Sequence, residues 1–447
     1  MKTETRQRVL ILGGGFGGLY TALELEKSLA RRAGVEVTLV NRENFFLFTP
    51  MLHEVAASDL DFTHIVNPVR KLLRRTKFFQ GTVEAVDLEA RRVTVSHGAG
   101  HRHELEYDYL VVALGAVTNF YDLPGLAERA LTMKSLGDAV HLRGQLIKNL
   151  EEADFEPRAE DRAPLLTFVV AGGGFAGVET AAAVNDFVRE ALEFYPRLDK
   201  KMLHMVLVEA GPKVLPELGE KLGDYARKKL ADAGVEVRLG TAVKKFSEAG
   251  VELGDGEVIR TNTLVWTAGI SPNPILETLP CRKDRGRLRT DEFMEVEGRP
   301  GVWALGDCAS VPDVTTGKTC PPTAQHALRQ GKTVARNIVA SIHGKQKRPF
   351  VFKTVGQLAS MGRRTGVARI LGVNFSGFVA WWLWRTVYLS KLPRFEKKLR
   401  VALDWTLDLI FTKDLVQFLT IHSPSDPAAN REPRRPASDL AARARVV

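Results

Sequence analysis

The sequence predicts an α/β fold built on two Rossmann-like β-α-β units, followed by an amphipathic helical region towards the C-terminal end. Three observations carry this. The glycine run Gly13-Gly14-Gly15-Phe16-Gly17-Gly18 follows an apolar stretch and precedes a helix-like one. The run Gly172-Gly173-Gly174-Phe175-Ala176-Gly177 repeats the arrangement in the same context. Beyond residue 374 the chain turns aromatic, basic and amphipathic.

The elements follow in order. Residues 9–12 form a strand, the glycines a turn, residues 19–31 a helix and residues 35–40 a second strand. Strand-like runs recur at 92–95 and 109–113, and the polar stretch 97–103 is a hairpin able to join them. The acidic stretch 151–157 reads as a loop or helix end. The β-α-β theme then returns as a strand at 166–170, a helix from 178 to 193 and a strand at 205–208. This is a duplicated nucleotide-binding unit and not a short-period array. Residues 302–307 are a strand ending in Gly-Asp, and 324–343 a helix. The expected domains are 1–120 with 285–373, then 121–284, then helices over 374–422. The stretch 423–447, rich in Pro, Arg, Ala and Asp, is expected to be disordered.

Composition sets the bounds. The 447 residues suffice for two or three domains, and 45% hydrophobic with 26% charged residues is ordinary for a globular chain. The net charge of +10 suits nucleic acid, anionic lipid or an anionic substrate without choosing among them. Three cysteines, Cys281, Cys308 and Cys320, with no Cys-x-x-Cys pair, point to a reduced setting. No signal-peptide pattern is visible and no apolar run approaches the roughly 20 residues that span a bilayer. An integral membrane protein, or one that moves protons across a membrane, is therefore not expected. His97, His101 and His103 lack a carboxylate or thiolate partner and are read as solvated; no metal site is expected. Cys308 is read as a buried filler rather than a nucleophile.

The motifs carry chemistry. Gly13 permits the tight turn, Gly15 lets backbone approach a diphosphate, and Gly18 lets helix pack on strand, with Phe16 and Gly17 between them; the diphosphate sits on the helix N-terminus. An acidic residue usually closes the second strand on a ribose, but here Asn41 stands there, followed by Arg42. In the second unit Gly172, Gly174 and Gly177 play the same parts, with Phe175 and Ala176 opening the helix. Its second strand ends at Glu209, whose carboxylate favours a ribose diol over a 2′-phosphate, and so NADH over NADPH. The other reading of Glu209 is a solvated strand end. Glu179 lies just inside the second helix, where an acid is also simply favourable to the helix dipole. Ala113 and Gly115 form a strand-end turn, echoed by Gly269 in the second unit. Asp307 is placed to bond a ribityl chain, or else to cap a helix. Two nucleotides side by side describe an enzyme passing electrons from a nicotinamide to a flavin.

The order of these motifs resembles the two-dinucleotide-binding-domain flavoproteins. Four features resemble the type II NADH:quinone oxidoreductases in particular: Asn44-Phe45-Phe46-Leu47-Phe48-Thr49-Pro50-Met51-Leu52, Gly177-Val178-Glu179, the Ala-Gln-x-Ala-x-x-x-Gly pattern of Ala324, Gln325, Ala327 and Gly331, and the tail from Gly377 to Trp405. The resemblance implies FAD on the first unit, with Asp307, and NADH on the second. It extends the FAD contacts to Arg42, Thr49, Pro50, Val83, Ala324, Gln325 and His326. It sets Ala324, Gln325, Ala327 and Gly331 at a quinone, and Glu179 and Gln325 at the flavin–nicotinamide–quinone junction. It implies hydride transfer from NADH to FAD, then two-electron reduction of a membrane quinone without proton pumping. A sulfide:quinone reductase, sharing the fold, needs a cysteine pair at the flavin, and none precedes Cys281. Disulfide reductases want Cys-x-x-Cys, and a ferredoxin-type reductase gives no reason for the tail. A flavin- or NADH-binding sensor without turnover is the alternative from another class.

In the tail, residues 378–384 are apolar with three tryptophans, and six positives lie between 374 and 400 against Glu396. Glu396, Arg400, Asp404 and Asp408 recur every fourth residue, with Leu399, Leu403, Leu409, Ile410 and Phe411 mostly opposite. This reads as an interfacial anchor on anionic lipid at the cytoplasmic face of the cell membrane. Packing on the body or a homodimer contact is the other use of such helices. Nucleic acid is not expected, since the basic residues are interleaved with bulky apolar ones.

Overall fold

The computed structural model describes residues 7–29, 34–98 and 100–417. Two five-stranded parallel sheets organise it. The first has the order Val302–Ala304, Tyr109–Val112, Gln7–Leu12, Val35–Asn41, Lys77–Gln80. The second has the order Leu131–Thr132, Thr263–Trp266, Thr167–Ala171, His204–Glu209, Val235–Leu239. Parallel strands covered on both faces read as continuous apolar runs. Thus Val9 to Leu12 and all of Thr167–Ala171 are buried. Each central strand delivers its glycine loop to the carboxyl edge of its sheet, where ligands of such sheets bind.

The fingerprint helices run Phe16–Ser28 and Phe175–Ala191, three residues earlier than the expected starts. Gly15 and Gly174 are their N-caps, so the final fingerprint glycines already lie in the first helical turn. Val302–Ala304 returns to the first sheet beside Tyr109–Val112. Ala116–Thr118 and Ile270–Pro272 pair antiparallel where the chain passes between the two units.

One local expectation is corrected. The hairpin at 97–101 joins Arg92–His97 to a further strand, His101–Glu106, in a separate antiparallel sheet, and not to Tyr109–Val112. Of the two readings of the acidic stretch 151–157, the helix end is the one found: most of it closes a long helix, Leu136–Phe155, begun by a capping box between Ser135 and Asp138.

A three-stranded antiparallel sheet, Gly356–Ser360, Gly366–Ile370 and Val373–Gly377, leads into the helices Phe378–Lys391 and Phe395–Leu407. The strand Val373–Gly377 runs across the boundary expected at residue 374. Among the described residues no helix is long and apolar enough to cross a membrane. The expected disorder of 423–447 lies outside the described residues.

Candidate functional site

The two glycine loops are built alike. Gly13 and Gly172 have φ of +100° and +112°, a region that L side chains rarely adopt. A Cβ at Gly18 would stand 1.8 Å from the Gly13 carbonyl oxygen, and one at Gly177 would stand 1.7 Å from that of Gly172. At Gly15 and Gly174, by contrast, an added Cβ would meet nothing within 4 Å. Both helices start without a side-chain cap and without an acid in the first turn. Their free N–H groups and positive dipole ends face open space, which fits a diphosphate on each loop.

The strand-end residues complete the parallel. Gly14 N–H donates to Asn41 Oδ1 (2.8 Å), and Asn41 Nδ2 donates to the Glu43 carbonyl (2.7 Å). In the second unit Glu209 Oε1 accepts from Gly211 N–H (2.6 Å), and its Oε2 accepts a short bond from Gly173 N–H. Asn41 and Glu209 therefore do the same structural work, and Glu209 adds the charge. A purely solvated strand end does not describe it.

Around the first loop, Ala113 N–H donates to the Leu12 carbonyl (2.9 Å), and Gly115 turns with φ of +69°. Arg42 is exposed and paired with Glu43; Thr49 and Pro50 begin a 3-10 turn, Thr49–Met51. Val83 lies in the strand Thr82–Asp87 that follows Lys77–Gln80. Asp307 occupies a 3-10 turn, Gly306–Cys308, and caps no helix; the next long helix, Ala324–Ile342, has Thr323 as its N-cap. Burial pushes the Asp307 carboxyl up, with Lys134 Nζ 4.0 Å away to offset it. Gln330, unremarked in the sequence, accepts from Gly306 N–H (2.9 Å) and so ties this turn to the helix. Gly269 packs against Asn119 and Tyr121, where a Cβ would stand 2.6 Å from the tyrosine ring.

The Ala-Gln pattern opens the Ala324–Ile342 helix. Gln325 Nε2 donates to the Gly356 carbonyl (2.7 Å). Ala327 lies under Gly306. The His326 side chain meets Thr323 Oγ1 (2.8 Å) and packs edge-on against Phe352. Gly331 is a helix-packing glycine, since its added Cβ would stand 2.4 Å from the Gly17 carbonyl oxygen. Among the described residues no histidine, cysteine or carboxylate cluster is arranged to hold a metal. Cys308 is fully buried, and burial raises its thiol to about 11.

For Glu179 the helix-dipole reading does not hold. It is the fifth residue of its helix, past the first turn, and is only 9% exposed. Its Oε1 accepts from Ser360 N–H (3.1 Å) and from Trp384 Nε1–H (3.1 Å). His53 Nδ1 lies 3.8 Å from its Oε2. Burial pushes the Glu179 carboxyl up to about 8 and holds His53 down at about 3. Beside it lies a second buried acid, Glu54, which accepts from Trp405 Nε1–H (3.1 Å) and is likewise pushed up to about 8 by burial. His53 and Glu54 follow directly on the Asn44–Leu52 segment. Their signal in the sequence is two titratable residues inside the apolar run from Pro50 to Ala57.

The C-terminal helices roof this cluster. Trp384 is 0% and Trp381 8% exposed, whereas Trp382 is 55% exposed. Two of the three tryptophans read as interfacial are therefore core residues. On the last helix Lys397, Val401 and Trp405 face inward, while Phe395, Leu399, Leu403 and Leu407 form an exposed stripe. Asp404 meets His64, and Lys397 Nζ donates to the Thr63 carbonyl (2.6 Å).

Comparison with known proteins agrees with this layout. The family model for pyridine nucleotide-disulphide oxidoreductases matches residues 7–331, and that for the NDH2 C-terminal domain matches residues 355–414. The chain is 35% identical over 424 residues to a type II NADH:quinone oxidoreductase of Mycobacterium tuberculosis, covering 91% of this chain and 89% of that one. It is 33% identical over 410 residues to a demethylphylloquinone reductase of Synechocystis, covering 90% of this chain and 96% of that one. NDH2 of Plasmodium falciparum, solved in complex with NADH, superposes with a TM-score of 0.86 at 20% identity over 92% of this chain and 100% of that one. The chain belongs to the pyridine nucleotide-disulphide oxidoreductase family and, within it, to the type II NADH:quinone oxidoreductases.

Proposed function

We infer that this protein is an FAD-dependent NADH:quinone oxidoreductase that works at a membrane surface without pumping protons. Bound FAD supplies the two-electron relay between nicotinamide and quinone. The first glycine loop, Gly13 to Gly18, and Asp307 hold it, with Arg42, Thr49, Pro50, Val83, Ala113, Gly115, Ala324, Gln325 and His326 around it. The second loop, Gly172 to Gly177, holds NADH, with Glu209 on the ribose diol and Gly269 nearby. Ala324, Gln325 and Ala327 face the quinone, and Gly331 sets the approach of their helix to the first fingerprint helix.

The observation that carries this reading is the place of Glu179. A buried acid that holds a proton near neutrality sits directly beneath the helix Phe378–Lys391, whose outer side exposes Phe378, Val379 and Trp382. A proton-holding group thus lies just behind an apolar surface, which suits a lipid-borne acceptor that must be protonated on reduction. The outer face of both helices, at the level of bilayer headgroups, anchors the enzyme peripherally on the cytoplasmic face of the cell membrane. Anionic lipid contributes through exposed Lys391 and Arg400.

The test is spectroscopic. Pure protein should show a flavin band that bleaches with NADH in the absence of air and returns when a soluble quinone is added. No flavin band, or no return, would defeat the reading. Glu179→Gln should still bleach with NADH but should turn over quinone more slowly, by roughly a hundredfold or more for a lost general acid.

A further inference from the structure

We propose that Glu54 reloads Glu179 with protons, along the buried seam between the body and the two C-terminal helices, and so supplies the one proton that each turnover takes from water. The proposal rests on reading Glu179 as the proton donor to quinone. The stoichiometry requires such a supply. NADH gives up a hydride, two electrons and one proton, whereas quinol formation takes two electrons and two protons. The sum is NADH + H⁺ + quinone → NAD⁺ + quinol, and the extra proton comes from solvent.

Glu179 is poorly placed to collect that proton itself. Trp384 and Ser360, which cover and bond it, are 0% and 7% exposed. Its titratable neighbours are His53, Tyr388 and Glu54. Trp384 and Trp405 pack with centroids 6.2 Å apart, and each indole N–H holds one of the two acids. His53 adjoins Glu54 in the chain and reaches Glu179 at 3.8 Å, and its buried Nε2 has no hydrogen-bond partner.

Glu54 is itself buried, 5% exposed, but it has a second set of charged neighbours. The charges around it are Arg385, Asp59 and Asp408. Arg385 lies over the Trp405 ring at 4.7 Å. Asp59 is paired with buried Lys413 at 2.5 Å. Asp408 is half-buried, and Arg363 donates to its carbonyl (2.9 Å). From Glu190 and Asp186 on the Glu179 helix, the first pairs with the Arg363 side chain and the second accepts from Arg363 N–H. Acids thus neighbour one another in series, Glu179 with Glu54 and Glu54 with half-buried Asp408. An acid kept for packing alone would be a poor choice here, since a buried carboxyl held by one indole costs stability that an apolar side chain of like volume would not. Because Glu54 and Glu179 are both raised to about 8, transfer between them is close to balanced.

Glu54 touches neither nicotinamide nor quinone in this scheme; it acts through Glu179. The test compares Glu54→Gln, Glu54→Asp and Glu179→Gln with two acceptors, a soluble quinone and ferricyanide, which takes electrons without protons. For Glu54→Gln the quinone kcat should fall by at least about tenfold, with its pH profile altered, while ferricyanide reduction and bleaching by NADH stay near the unaltered level. Glu54→Asp should restore part of the quinone rate. Unchanged quinone turnover and pH profile in Glu54→Gln would overturn the proposal, as would an equal loss with both acceptors, the mark of a structural role. If Glu179→Gln is slowed and Glu54→Gln is not, the Glu54 proposal alone falls. If neither is slowed, the reading of Glu179 falls with it.

Discussion

A methyl group on Gly177 would sit 1.7 Å from the Gly172 carbonyl oxygen, and that contact is backbone, which has little room to move. Gly177→Ala should therefore push the second fingerprint helix off its loop, at about 1–3 kcal/mol for overpacking. The expected outcome is a raised KM for NADH with flavin content unchanged, read by kinetics and by the visible spectrum. These glycines were legible because the close approach they permit is a property of the motif. Glu179 was only half legible. The sequence shows an acid near a helix start, but the partners that bury it, Ser360 and Trp384, lie 181 and 205 residues away. The pH consequence follows from that burial. Glu179 and Glu54 are each raised from 4.5 to about 8, so the folded state prefers them protonated. Their contribution is fully present below about pH 4.5 and is lost as pH rises through about 8. Thermal melts should show Tm falling between these limits, and Glu54→Gln should remove part of the fall. A variant whose Tm drops with pH as steeply as the unaltered protein's would contradict this.

At the scale of the element, the C-terminal helices were legible as amphipathic but not as to which side faces in. Residues 378–384 are apolar nearly all round, so no periodicity marks a face. Tertiary contact decides it, because Trp384 finds Glu179 and Tyr388, whereas Phe378, Val379 and Trp382 find no comparable cover. The helix Phe395–Leu407 is arranged in an unusual sense. Its exposed stripe is apolar, with Phe395 80%, Leu399 63% and Leu403 56% exposed, while Asp404 and Lys397 turn to the body. Leu399→Glu with Leu403→Glu should leave soluble-quinone turnover intact and abolish co-sedimentation with lipid vesicles. Each such side chain is worth about 1.5–3 kcal/mol when fully buried. If the stripe instead joins two copies, the same variant would change the size of the protein in solution and leave vesicle binding alone. Trp384→Phe keeps most of the packing but removes the N–H from Glu179, so it should slow quinone reduction while sparing the reduction of ferricyanide.

For the whole molecule, the doubled β-α-β plan was legible because local patterns repeat. What was not legible is what only closure of the chain creates: the meeting of residues 53–54, 179, 384 and 405 in one buried cluster. The same closure redistributes charge. Six positives between 374 and 400 suggested a strongly electrostatic anchor. In the folded chain Lys397 is 7% exposed, Arg385 lies on the rings of Trp381 and Trp405, and Arg394 and Arg400 both pair with Glu396. Lys398 Nζ donates to the Ser390 carbonyl (2.8 Å). Arg400 stays exposed but paired, and exposed Lys391 alone of the six has no partner among the described residues, against an outer face lined by Phe378, Val379, Trp382, Phe395, Leu399 and Leu403. Membrane association should then be driven mainly by apolar burial, with only a modest electrostatic share. Exposed charges are screened beyond roughly 8 Å at physiological salt, whereas apolar contact is not weakened by it. Binding to vesicles of neutral and of anionic lipid, measured from about 0.05 to 0.5 M salt, a range chosen to bring the screening length well below 10 Å, should differ by less than about tenfold and show a shallow salt slope. Steep loss of binding with salt, or no binding to neutral vesicles, would mean that the basic residues are free to reach the headgroups and that the pairings seen in the folded chain do not hold at the membrane.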